Sequence, residues 1–233
     1  SAAEVTLDPD IRPVGTAVDP ATGNVYVADE MRPARIHEIN PTTNELVRTI
    51  SVPTTDPVGD GLRDVTYDAE NGLLYAAFGA NWVVMNAETG ERVRGPFAFT
   101  GSVRGMDVDL ARGLVYGGTR GGGFDVANAL TGDLRQTVAG PTDGGAWRTH
   151  GVAYDPVDDL LYVSNSDAAG STEGIRVYRG SDYELLQRLA LPASDFRSIA
   201  VDGEPAIVVV GHQTSAYDAS GVSVYPTAHL TLI

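Results

Sequence analysis

Five aspartates at near-regular intervals constrain this chain more than any other feature: Asp19, Asp68, Asp109, Asp155 and Asp202, separated by 49, 41, 46 and 47 residues. Each ends an apolar run. A turn follows, and seven residues after the aspartate comes the centre of a second apolar run, at Tyr26, Tyr75, Tyr116, Tyr162 and Val209. The clearest copy, residues 12–29, reads as strand, Gly/Asn turn, strand. Third stretches lie at 35–39, 82–85, 124–126, 175–178 and 222–225. Polar hairpins come next at 40–45, 86–91 and 128–133, and in looser form at 179–184; fourth stretches such as 46–50 and 185–189 close the units.

Four short strands repeated roughly every 45 residues, with no helical period, predict an all-β β-propeller, here of five four-stranded blades. A blade cannot bury both of its faces alone, so neighbours must cover them. The expected organisation is a single domain over residues 1–233, with repeats at about 8–53, 54–100, 101–140, 141–192 and 193–233. Residues 1–7 contain the alternating run Ala3-Glu4-Val5-Thr6-Leu7, and the last hairpin is short. That run is expected to join the outer edge of the last blade, so that no open edge is left.

Several of these stretches have a familiar form. Asp-Pro-Ala-Thr-Gly-Asn-Val-Tyr-Val-Ala-Asp at 19–29, and Ile-Asn-Pro-Thr-Thr-Asn-Glu-Leu-Val-Arg-Thr-Ile-Ser-Val-Pro at 39–53, resemble the YVTN repeat of YncE-like and surface-layer propellers. Leu161-Tyr162-Val163-Ser164-Asn165 resembles the eponymous Tyr-Val-Thr-Asn. The similarity runs through nearly the whole chain, but most matching residues belong to turns and core, so it speaks to fold more than to function. It implies an exported or cell-surface protein whose signal peptide has been removed. Such propellers usually have seven blades; with five repeats countable, the chain is expected to be a five-bladed ring or one part of a longer protein.

Composition excludes several chemistries. A net charge of −15 opposes binding to nucleic acid, whose phosphates it would repel. No apolar stretch is long enough to cross a membrane as a helix. Without cysteine there are no disulfides, thiolate metal sites or cysteine nucleophiles. All 16 basic residues are arginine, so lysine-amine catalysis is impossible too. No Gly-x-Ser-x-Gly elbow and no His-Glu-x-x-His occurs, and the Gly121-Gly122-Gly123 run precedes no helix that could bind phosphate.

Candidate site residues follow from the repeat. The long connections at 53–62, 140–149, 166–174 and 213–221 are expected on one face of the propeller, around the mouth of its central channel. Five residues before each aspartate stand Val14, Arg63, Arg104, His150 and Arg197, with Arg12 close to the first. Period-two alternation puts this position in register with the apolar pairs below it, such as Val65/Tyr67 and Val152/Tyr154. A ring of guanidinium forks suits carboxylate or phosphate oxygens, although each arginine could instead pair with an acid such as Asp64 or Asp107 and lock adjacent blades. Ten residues after each aspartate stand Asp29, Phe78, Thr119, Asn165 and His212. His150, His212 and Asp29 are candidate ligands for a divalent ion, but at no known metal spacing. Trp82 and Trp147 fall in or beside the same loops, where exposed aromatics would serve a contact surface. His37 and His229, on outer strands, look incidental, and the turn aspartates are expected to be structural.

Three functions fit. The first is a non-catalytic recognition propeller that binds a protein or an anionic small molecule through Arg63, Arg104, His150, Arg197, Trp147, Asn165 and His212, without a cofactor. The second is a metal-dependent lyase or lactonase-type hydrolase working on the same face. The third is an architectural module of a larger surface protein.

Overall fold

The computed structural model describes residues 11–54, 61–140, 148–166, 174–189, 195–203, 206–213 and 221–226. The expected closing strand at 1–7 and the chain's last residues lie outside the described residues. Every described element is a strand. The first four repeats form β1 (Pro13–Val18) to β4 (Glu45–Ser51), β5 (Leu62–Asp68) to β8 (Arg92–Ala98), β9 (Val103–Asp109) to β12 (Leu134–Val138), and β13 (Arg148–Asp155) to β16 (Leu185–Leu189). The fifth forms β17 (Asp195–Gly203), β18 (Ala206–Gln213) and β19 (Gly221–Pro226). Each set pairs in chain order into one antiparallel meander: four sheets of four strands and one of three. The fold is all-β, and these sheets are β-propeller blades.

The turn joining the first two strands shows why the aspartate recurs. Asp19, Asp68, Asp109 and Asp155 are all buried, and each turns one carboxylate oxygen back onto amides of its own turn. Asp68 Oδ1 accepts from Glu70 N and Asn71 N, and Asp155 Oδ1 from Val157 N at 2.9 Å. Four residues after the aspartate the backbone is left-handed at Gly23, Gly72 and Gly113, where the missing Cβ makes that conformation easy. The fourth repeat holds the same conformation with Asp159 (φ 55°). The third-to-fourth strand hairpins repeat the device with Asn44, Gly90, Gly132 and Tyr183.

By its contacts the chain divides into two compact units, Ser1–Ser102 with Leu130–Gly132, and Val103–Ala129 with Asp133–Ile233. In the first unit, Ile36, Ile50, Leu62, Leu74, Val83 and Met85 build the core between the two sheets. Trp82, expected as an exposed aromatic beside a loop, is not exposed. It is the second residue of β7 (Asn81–Asn86), fully buried, with its ring 4.7 Å from Phe97 and 6.0 Å from Phe99. Both faces of β7 are covered: Val83 and Met85 enter the core between the sheets, and on the other face Tyr75, Phe97 and Phe99 seat the Trp82 ring. Arg48 joins the sheets from outside: it binds Glu38 and donates to the carbonyls of Ala87 and Glu88.

In the second unit, Tyr116, Phe124, Val126, Leu161, Val163 and Tyr178 form one cluster, and Tyr162, Ile175, Val177 and Ile199 another. Here the inner strands approach closely. A Cβ on Gly105 would lie 2.5 Å from Gly151 Cα, and one on Gly151 would lie 2.8 Å from Ile199 N. In the first unit Gly15 faces Asp64 Cα in the same way, at 2.7 Å. Glycine just after Val14, Arg104 and His150 is therefore a packing requirement between neighbouring inner strands, whereas Arg63 is followed by Asp64.

Candidate functional site

The pairing of the first two strands slips at one place in every repeat. Pro13 pairs with Asp29 and Gly15 with Ala28; Leu62 with Phe78 and Asp64 with Ala77; Thr149 with Asn165 and Gly151 with Ser164. The third and fifth sheets do the same, with Val103–Thr119 then Gly105–Gly118, and Phe196–His212 then Ser198–Gly211. The extra residue is Val14, Arg63, Arg104, His150 or Arg197 in turn. These five positions, picked out from the repeat, are thus each carried by a β-bulge of the first-to-second strand pairing; the third-to-fourth strand pairings of the first four sheets slip as well. A bulge inserts an unpaired residue, bends the strand and re-aims the side chain, and such irregularities concentrate at the rims of sheets and beside sites. The slip also breaks strict alternation along the first strand: Leu62 and Val65, three residues apart, pair with Phe78 and Ala76, which lie on one face. The residues ten beyond the aspartates lie directly across from the residue before the bulge, so both sequence sets meet at one end of each sheet.

The side chains at these positions differ. Val14 is exposed. Arg63 is half-buried and paired with Glu30, which Arg12 also approaches at 3.9 Å. Arg104 is half-buried at the edge of the second unit's first strand. His150 is buried, with Nε2 2.8 Å from Ser166 Oγ. Arg197 and His212 occupy the bulge and the facing position in β17 and β18, with side chains outside the described residues, where Trp147 also lies.

The opposing positions anchor loops. Thr119 Oγ1 donates to Gly123 O at 3.2 Å. Asn165 is wholly buried; its Oδ1 accepts from Thr149 Oγ1 at 3.0 Å and its amide nitrogen donates to Val163 O at 3.3 Å. Asp29 is also wholly buried and accepts from Arg12 N (3.0 Å), Met31 N (2.9 Å) and Arg35 (2.9 Å), with His37 Nε2 at 3.3 Å. Burial pushes its carboxyl up, but the two amides, His37 and the Arg35 charge outweigh that and hold it below the ordinary carboxylate range. Phe78 is buried in the first unit's core.

His37, expected to be incidental, belongs to this network. It is 2% exposed and bridges Asp29 to Thr49 Oγ1, 3.1 Å from Nδ1. Asp125 accepts from Thr137 Oγ1 at 2.7 Å at the matching place in the third sheet, and in both pairs the partners are 12 residues apart. That shared spacing of a polar third-strand residue and a fourth-strand threonine was the available signal. Among the described residues no three His, Asp or Glu side chains gather as a metal site, and no helix is long and apolar enough to cross a membrane.

The architecture defines the class: a β-propeller whose inner strands carry repeated bulges. Its backbone is similar to that of Kuenenia stuttgartiensis hydrazine synthase, with a TM-score of 0.71 and 12% identity over 95% of this chain. The chain spans 65% of that protein's length. At such identity the likeness shows the fold alone, and 1547 chains of known structure match this one, so it selects no activity. No family model matches the sequence, and no curated protein matches it.

Proposed function

We propose that this chain is a non-catalytic recognition propeller of the YVTN-repeat, YncE-like kind, exported or displayed at the cell surface. It binds a protein or an anionic small ligand at the bulged ends of its inner strands. The observation that supports this reading is the recurrence of the bulge at one repeat position, four times out of five under a basic residue. In the second unit, Arg104, His150 and Arg197 occupy the bulges of β9, β13 and β17, neighbouring strands whose backbones nearly touch at Gly105, Gly151 and Ile199. Carboxylate or phosphate is the chemistry that arginine forks recognise.

The test is a thermal-shift screen of wild type and Arg104→Glu against di- and tricarboxylates, sugar phosphates and inorganic phosphate. A ligand present at about a hundredfold excess over its dissociation constant stabilises the native state by about 2.7 kcal/mol. The expected result is an anion-specific rise in melting temperature that Arg104→Glu abolishes, while its own melting temperature moves little. An anion response of equal size in both proteins would sink the reading, as would Arg104→Glu unfolding in parallel with its loss of binding.

A further inference from the structure

The aspartate turns differ in one respect that packing does not explain. In the first three sheets the second carboxylate oxygen of the turn aspartate meets a donor from the residue three places on: Thr22 Oγ1 to Asp19 Oδ2 at 2.7 Å, Asn71 Nδ2 to Asp68 Oδ2 at 2.8 Å, and an Arg112 guanidinium nitrogen to Asp109 Oδ2 at 2.8 Å. In the fourth sheet that residue is Asp158. It brings its backbone N to 3.4 Å from Asp155 Oδ1, but its side chain is another carboxylate with nothing to donate. Asp155 is 0% exposed and its Oδ2 has no partner. The hydroxyl of Tyr162, seven residues on and also 0% exposed, has none either. In the third sheet the matching hydroxyl, on Tyr116, lies 3.5 Å from Asp109 Oδ2, beside the Arg112 charge.

A hydroxyl, an amide and a guanidinium thus fill one structural place in three repeats, and the residue at that place in the fourth has only a carboxylate to offer, with the Asp155 oxygen and the Tyr162 phenol left unpartnered. An unmatched buried carboxylate oxygen is costly, and a charge of the opposite sign is what offsets it. We propose that the β13–β14 turn binds a small hard cation of the calcium type between Asp155 Oδ2, the Asp158 carboxylate and the Tyr162 hydroxyl, where Arg112 serves the neighbouring repeat. Oxygen ligands suit such an ion, and water completes its shell from the solvent side, where Asp158 is exposed. Two carboxylates make a weak site, with a dissociation constant on the order of 1 mM. The site lies at the end of β13 opposite the His150 bulge, so it stands or falls independently of the proposed recognition surface.

Asp158→Asn decides the matter, because an amide there can donate to Asp155 Oδ2 as Asn71 does to Asp68. The probe is calcium chloride at about 10 mM, against sodium chloride of equal ionic strength to remove general screening of the acidic surface. Wild type is expected to melt about 3–6 °C higher with calcium. Calorimetric titration should show one weak site. Asp158→Asn should melt above wild type in metal-free buffer and lose the calcium response. Glu70→Gln, which removes one exposed charge from the equivalent turn of the second sheet, should keep it. The proposal is overturned if wild type shows no calcium-specific shift, or if Asp158→Asn responds as wild type does.

Discussion

Replacing Gly105 with alanine tests the claim that the inner strands of the second unit are packed backbone to backbone. The new methyl would lie 2.5 Å from Gly151 Cα, 2.9 Å from His150 O and 2.9 Å from Val152 N. All three are main-chain atoms, so no rotamer change relieves the overlap; β9 and β13 must move apart. Inserting one methyl into a packed interior costs about 1–3 kcal/mol when side chains can yield. With only backbone to yield, the upper end is expected, about 3 kcal/mol. For a chain of this size that is a loss of about 6–12 °C in melting temperature. Urea denaturation followed by tryptophan fluorescence and far-ultraviolet circular dichroism gives the free energy directly. Gly121→Ala is the matched control, since a Cβ there meets nothing within 4 Å, and it should be neutral or slightly stabilising. If Gly105→Ala costs less than about 0.5 kcal/mol, the close approach of the two strands is wrong, and so is the reason given for glycine at that position.

Three further outcomes follow from the same geometry. Asp29→Asn should cost about 2–4 kcal/mol, because a wholly buried carboxylate with four donors becomes an amide that must orphan some of them. The Asp29 carboxyl is held below its ordinary value in the folded state, so its contribution is complete above the unfolded value near 3.8 and fades as pH falls through the lower folded one; acid titration of the variant's stability should therefore be flatter below about pH 4 than that of wild type. Trp82→Ala should lose about 3–5 kcal/mol in urea denaturation, since the buried ring fills the space between Tyr75, Phe97 and Phe99. Arg48→Met, which keeps the aliphatic stem but removes the donors to Glu38, Ala87 and Glu88, should cost only about 1–2 kcal/mol by the same measurement, because the guanidinium is one-third exposed and partly screened.

The repeat was readable because its signals are local. An aspartate bonding amides two and three residues on, a left-handed glycine at the fourth and a tyrosine at the seventh all lie within one turn, and each has a distinctive residue type. The basic series at Arg63, Arg104, His150 and Arg197 was found by the same counting. Its bulge was not, because a slipped pairing depends on the partner strand and leaves no mark on the strand that carries it. Trp82 was placed in its strand but read as an exposed aromatic beside a loop, because what covers it, Phe97 and Phe99, comes from the next strand and the segment after it.

His37, Arg112 and the Asp155–Asp158 pair show where local reading ends. His37 matters only through Asp29 and Thr49, brought to it from neighbouring strands, and Arg112 only because Asp109 and Asp159 stand on either side of it, with Asp159 Oδ1 at 2.7 Å. The strands, their turns, their order and the all-β repeat architecture were legible in the residues alone, since those rest on period-two patterning and on hydrogen bonds closed within a few residues. Tertiary structure alone decided which polar groups are buried, which of them find a partner, and where two backbones come too close for a Cβ. Those are properties of pairs distant in the chain, and the energy of a buried charge depends on what the fold sets against it.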